Sequence, residues 1–462
     1  MHDFVVYLFY LLRSALFPAV LAVLACAVIL AISHRLFQRK HKGSKKFPWG
    51  RALLSLLLVG YLVVLIYVTL FRTSEGRVAS SINPHLFRAF REAWNAFTLQ
   101  RWLNPLLNVA VFMPLGILLP LMAKPFRRWY ATLAAGLGGS LLIEIAQYLL
   151  SRGTADVDDL FANTLGTMLG YCLCMAFVSL IGRKGKLFAL YSLLPLLSIA
   201  SLAGVFGIYY IQPYGNLAQA PAYTVNTEDV EWVLECELSN EAGSAGIYWA
   251  QPFDRASCAS FGEQFARWVG ADFSDVSYYD NTTTFMDHTA GYFLHVDLSD
   301  RSYSYSGPAV FEGGFVEVGD EELQTALLPF EIEVPNGAEF SYEGRGWHRY
   351  QADCIIDGDT LTAGALRCQV AESGAIARLE SSLVICGLKA EESIISEADA
   401  YTRLCQGKFS NGDYFEYLSP KEVHVLSCTL GYISDTKGFR QPVYLFGLEE
   451  LGGTVFVPAR LS

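Results

Sequence analysis

The first half of this 462-residue chain is poor in acid and the second half is poor in base. Residues 1–211 hold 7 Asp and Glu against 20 Lys and Arg, whereas residues 212–462 hold 38 against 14, a net of −24. The overall net charge of −11 and the 52% hydrophobic content average two unlike segments and describe neither. No basic residue precedes Arg13, and the basic cluster follows the first apolar run instead of leading it, which argues against a cleaved secretory signal. The ten cysteines include no CxxC pair, which removes the usual zinc and dithiol redox motifs. Seven of them (Cys236, Cys258, Cys354, Cys368, Cys386, Cys405 and Cys428) are widely spaced in the acidic half and are expected to be buried thiols acting as small hydrophobes. Neither half carries a nucleophile motif or a metal spacing of known specificity, so no cofactor, no metal and no nucleic acid is expected.

Apolar length is what the first half has in abundance. Six runs, roughly Ala15–Ile32, Ala52–Phe71, Leu103–Leu121, Trp129–Leu150, Leu160–Ile181 and Leu187–Ile211, can each cross a hydrocarbon layer of about 30 Å as a helix. Basic residues gather in alternate connections: Arg35 to Arg51 after the first run, Lys124, Arg127 and Arg128 after the third, and Arg183, Lys184 and Lys186 after the fifth. By the positive-inside rule these three loops are cytoplasmic, which puts the N-terminus and the acidic half outside. The five arginines between Arg72 and Arg101 oppose that assignment, and three loops outvote one.

The expected fold is therefore a polytopic α-helical membrane protein of about six spans over residues 1–211, a linker at 212–224, and an extracytoplasmic α+β domain at 225–462. Short alternating patterns such as VEWVLECEL, GYFLHVDL, IARLESSLVIC and VHVLSCTLGYI predict strands. ASFGEQFARWVG and SEADAYTRLCQGKF predict helices, and the arrangement suggests two related lobes split near residue 325. The stretch GAIARLESSLVICGLKAEESIISEADAYTRLCQG resembles the strand and helix pattern of PepSY-like extracytoplasmic modules. Asp287, His288 and His295 are the only sign of metal ligands here, and isolated histidines explain them better. Fifteen tyrosines and a charge of −24 in this half suit a binding or sensing module better than an enzyme.

Chemistry concentrates instead in LLIEIAQYLLSRGTADVDDLFANTLG, residues 141–166. Glu144 lies about 9 Å inside the end of its helix, where an ionisable group costs on the order of 2–3 kcal/mol and needs a partner or a wet cavity. Gln147 sits one turn beyond it. On the next helix Asn163 returns to a similar depth, as does Asn108 on the preceding one. Topology alone thus delivers Arg72, Asn108, Glu144, Gln147, Arg152, Asp156, Asp158, Asp159 and Asn163 to one layer near the outer face. Small residues Gly136, Ser140, Gly166 and Gly170 would let the helices approach closely. Local structure explains part of the layer: Asp156 can cap the helix, with Asp158 and Asp159 in its first turn. It does not explain Glu144 with Gln147.

These residues resemble the VanZ-like family of bacterial membrane proteins over about residues 50–180, through LFRTSEG with INPHLF, NVAVFMPLGILLP and IEIAQYLLSRGTADVDDLFANTLGTMLGY. The resemblance implies a multi-helix cell-envelope protein and, for the family's founding members, low-level resistance to glycopeptides of the teicoplanin type. It does not extend to the acidic half. The leading expectation is a pocket for the head group of an anionic membrane lipid or lipid-linked cell-wall precursor, with Arg72 and Arg152 on phosphate or carboxylate. The alternatives are a membrane enzyme acting on lipid-linked substrates through Glu144 and Asp159, also with a cation held by the acids, and a membrane-anchored sensor or scaffold for the outer domain.

Overall fold

A computed structural model describes residues 20–35, 37, 39, 48–70, 82–151, 154–218, 224–279, 281–311 and 314–461. The chain divides into two compact units, one of Met1–Phe90 with Gln100–Ile211 and one of Arg91–Leu99 with Gln212–Ser462.

Helices α1 (Val20–Arg35), α2 (Trp49–Leu70), α3 (Arg88–Ala96), α4 (Leu99–Met122), α5 (Trp129–Leu149), α6 (Val157–Ile181) and α7 (Gly185–Ile211) follow one another along the first half. Five of them, α2, α4, α5, α6 and α7, are long and apolar enough to cross a membrane, so the chain is a multi-pass membrane protein. They coincide with the last five expected spans, and α1 is the described part of the first. The described part of the expected connection between the second and third spans holds a short strand and a helix. Ile82–Asn83 pairs in parallel with Ala155–Asp156, and α3 follows directly.

The centre of this unit is α6, whose buried residues include Ala162, Asn163, Gly166, Thr167, Gly170 and Tyr171. It starts where Asp156 accepts the Asp158 N–H at 2.8 Å, with Asp158 and Asp159 completing an acidic first turn against the helix dipole. Its neighbours come within backbone contact because glycines face them. A Cβ on Gly166 or Gly170 would lie 2.0 Å from the carbonyl oxygen of Val109 or Met113 on α4, and one on Gly136 of α5 would meet the Thr167 hydroxyl at 2.5 Å. Large side chains on the other faces, such as Leu142, Leu149, Leu196 and Ile199, are exposed, as a hydrocarbon solvent requires.

The second unit is β-rich, built on a 14-stranded sheet. Glu422–Ser434 pairs with one edge of Phe439–Leu448, whose other edge takes Gly243–Trp249 at its start and Gly453–Pro458 along the rest, while Glu231–Leu234 adds to Glu422–Ser434 in parallel. Gly243–Trp249 then connects through Val384–Ile394, Thr360–Val370 and Ile376–Ser381 to a meander running back from Tyr303–Ser306 to Asp275–Tyr279. Two principal cores form. Val225, Leu404, Phe409, Phe415, Val425 and Phe446 belong to one; Phe265, Leu294, Leu327, Tyr350 and Leu379 belong to the other. The second core draws on residues 258–379 and the first on residues flanking them, so the two are nested along the chain instead of dividing near 325. None of the ten cysteines forms a disulfide, and Cys258, Cys368 and Cys386 are fully buried.

Residues 212–218 fold onto this second unit. Buried Asp435 accepts N–H bonds from Gly215 at 2.6 Å, Lys437 at 2.8 Å and Phe439 at 2.9 Å, and one from Gln441 Nε2 at 2.6 Å. Burial pushes its carboxyl above the usual range against the pull of those four donors.

Two outcomes follow. Gly166→Val or Gly170→Val drives a side chain into the α4 backbone and should cost at least about 3 kcal/mol, whereas Gly138→Ala, where a Cβ meets nothing within 4 Å, should be neutral or gain up to about 1 kcal/mol in a detergent thermal-shift assay. Asp435→Ala strands several buried donors at about 1–3 kcal/mol each. Because the folded pKa of Asp435 is raised, the folded state binds the extra proton. Wild type should therefore gain stability over Asp435→Asn as pH falls from neutral toward about 4.

Candidate functional site

Of the predicted site residues, Arg72 and Arg152 lie outside the described residues; the other seven are placed. Glu144, only 6% exposed, points from the last turns of α5 toward the start of α6, where its Oε2 accepts the Asp156 N–H at 3.0 Å. Among the described residues this is its one hydrogen bond. Asp156 and Asp159 both lie within electrostatic range of it. On α4, Asn108 donates its side-chain N–H to Asp159. One turn along, Asn163 Nδ2 donates to Ser140 Oγ at 2.9 Å, and Thr167 Oγ1 donates to the Asn163 carbonyl at 3.0 Å.

The pattern follows from helix periodicity. Asp159, Asn163 and Thr167 are four apart and form a polar ridge on α6, while Ser140 and Glu144 are four apart and form the facing ridge on α5. Gly136 meeting Thr167, and Gly166 meeting Val109, bring those ridges into reach of one another and of α4.

Three of the predicted residues have fastening roles. Asp158 is buried, and its two oxygens accept the backbone N–H groups of Phe87 and Ala89, the latter at 2.6 Å, so it caps the start of α3. Phe87 and Phe90 then pack with Phe161 of α6, at centroid distances of 5.1 and 6.4 Å. Asp156 accepts from Asn83 Nδ2 at 3.0 Å as well as capping α6, which locks the Ile82–Asn83 strand against Ala155–Asp156. Gln147 turns to α2, donating to the Thr69 carbonyl at 3.1 Å, and its Oε1 is buried with no partner among the described residues. With Asp156 and Asp158 committed to N–H donors, the four acids do not form a cation cage; among the described residues no group of metal-ligating atoms gathers in this layer.

Asn83, Thr69, Ser140 and Thr167 join the site without having been predicted as part of it. Ser140 and Thr167 carried a signal in their four-residue spacing from Glu144 and Asn163. Asn83 and Thr69 carried none, since their partners are 73 and 78 residues away. In the second unit, Asp287, His288 and His295 go to separate partners. His295 Nδ1 meets Thr284 Oγ1 at 2.7 Å, His288 Nε2 meets Asp275 at 3.2 Å, and Asp287 accepts backbone N–H groups from Asp272, Thr289 and Ala290.

This division separates two kinds of acid by experiment. Asp158→Ala removes a cap and should lower thermal stability by about 0.5–2 kcal/mol. Glu144→Gln keeps the shape and one acceptor for the Asp156 N–H, so it should leave the melting temperature of the purified protein within about 2 °C of wild type.

No solved structure matches the chain. The VanZ/LLP1 family model matches residues 58–179, from within α2 to near the end of α6, a stretch that holds Asn83, Asn108, Glu144, Asp159 and Asn163. Protein VanZ of Enterococcus faecium is 32% identical over 121 residues, which is 26% of this chain and 73% of that protein. With nearly three quarters of that relative covered, the chain belongs to the VanZ family.

Proposed function

We propose that the polar layer where α4, α5 and α6 meet binds the head group of a membrane lipid or lipid-linked cell-wall precursor, and that the protein acts in the cell envelope, with a link to glycopeptide resistance of the teicoplanin type. The observation that carries this reading is Glu144. It is a buried carboxylate in a membrane-spanning helix with a single hydrogen bond among the described residues, beside Gln147 with an unpartnered Oε1. Groups of that kind are costly in hydrocarbon and are kept where a polar ligand or a wet cavity meets them. The acceptors Glu144, Asp159 and Gln147 suit a head group rich in N–H and O–H donors, and Arg72 and Arg152 would take its phosphate or carboxylate. A lipid-linked precursor carries both. The reading places the layer at the outer leaflet, with the N-terminus and the second unit outside, on the strength of the three basic loops.

The test is a Glu144→Gln strain with normal protein level. Teicoplanin susceptibility should shift to that of the deletion strain, and purified Glu144→Gln protein in nanodiscs should bind a lipid-linked precursor at least about tenfold more weakly, which corresponds to one lost charge-assisted contact. An unchanged phenotype with unchanged binding would overturn the proposal. Turnover of the precursor that Asp159→Asn abolishes would replace binding with catalysis.

A further inference from the structure

The second unit brings one histidine and four glutamates together from separate elements. His424 stands on Glu422–Ser434 between Val423 and Val425, both fully buried, so its own side chain faces the other side of the sheet. Val425 pairs with Leu448, and this register carries the next residues, Glu449 and Glu450, back to His424. The Glu449 N–H donates to the His424 carbonyl at 3.1 Å, and Glu450 Oε2 accepts the His424 N–H at 2.9 Å. The turn closes at Gly452, which has φ +60° and donates to the Glu449 carbonyl at 3.0 Å. Both carboxylates are thereby held on a fixed backbone. A ring nitrogen of His424 and one oxygen from each of Glu449 and Glu450 all lie within 4.8 Å of one another.

From the opposite strand Glu235 Oε1 meets His424 Nδ1 at 2.7 Å, while Glu422 Oε1 stands 3.5 Å from Nε2. The first distance is a hydrogen bond. The second is too long for a good one, but it matches the edge of a tetrahedron of ligands about 2.0–2.1 Å from a zinc-sized ion, which is about 3.4 Å. A carboxylate on one imidazole nitrogen, with the other nitrogen left to a metal ion, is the arrangement that orients a metal-binding histidine. Among the described residues no Lys or Arg pairs with any of these glutamates, in a domain that is already strongly acidic. The imidazole is what singles this group out from a solvated acidic patch. Nitrogen with two or three carboxylates favours a transition-metal dication over calcium or magnesium, which prefer all-oxygen sites.

We propose that His424, Glu449 and Glu450 bind a divalent transition-metal ion of the zinc class, with Glu235 as the residue that positions the imidazole. The ion clamps the turn after Phe439–Leu448 to the neighbouring strand and neutralises part of the local negative charge. Glu422 is within reach as a further oxygen ligand. The site is independent of the membrane layer.

Full-length protein in detergent, stripped with chelator, is titrated with Co2+ and then with Zn2+. One equivalent of Co2+ should bind with visible bands of nitrogen and oxygen ligation, without thiolate charge-transfer bands, and Zn2+ should displace it. His424→Gln, and Glu449→Gln with Glu450→Gln, should each weaken binding at least about tenfold, and Glu235→Gln should weaken it about 10- to 100-fold while leaving the spectrum unchanged. These side chains are at the surface, and circular dichroism checks that each variant is folded. Absence of a saturable equivalent, undiminished binding in His424→Gln, or a spectrum dominated by thiolate ligation would overturn the proposal.

Discussion

At Gly166 and Gly170, α6 lies so close to α4 that even a methyl group would sit 2.0 Å from a backbone carbonyl. Lipid tails are as apolar as leucine, so no hydrophobic drive sorts one helix against another inside the membrane. Close backbone approach is what remains, and the polar layer depends on it. Asn108 reaches Asp159, and Asn163 reaches Ser140, only because neighbouring positions on the same helices lack bulk. Packing and polarity are thus one device. The hydrogen bonds fix rotation about each helix axis, and the glycines fix the separation across which those short side chains must reach.

Within the layer, the acids divide by the kind of donor they meet. Asp156 and Asp158 each accept an N–H on both oxygens, from the start of α6 and from the 82–89 segment, and they hold that connection in place. Among the described residues Glu144 meets one backbone N–H and keeps acceptor capacity in hand. A carboxylate with spare lone pairs in a low-dielectric setting is unfavourable unless something recurrently completes it. That inequality, and not the number of acids, is what the proposed binding role of Glu144 rests on.

How far the sequence reveals this follows the range of each interaction. The spans were legible because a run of about 20 apolar residues has few alternatives, and Glu144 was legible because ionisable residues rarely occur in such runs. The cap on α6 was legible because Asp156, Asp158 and Asp159 act on their own first turn. The role of Asp158 toward α3 was not, since its partners are backbone groups of Phe87 and Ala89 about seventy residues earlier, and any sequence there would offer the same N–H. Gln147 likewise turns to the backbone of Thr69. In the second unit, alternating patterns revealed strands, while the nesting of its two cores depends on Gly243–Trp249 pairing with Val384–Ile394, a register no local pattern encodes.

The same reasoning bears on the two halves as chemistry. In the membrane unit, the polar groups of the layer are few and most are tied to named partners, so one that keeps unused acceptor capacity stands out and a single substitution such as Glu144→Gln is informative. In the second unit, acids are abundant and mostly solvated, and abundance hides any that act together. His424 separates the signal from that background. It is a nitrogen donor between two fully buried strand residues, Val423 and Val425, so its direction is set by the core beneath it, and the hairpin register sets where Glu449 and Glu450 meet it. Where many like charges share a surface, the residue of a different kind, held by the most rigid backbone, is the one whose placement carries meaning.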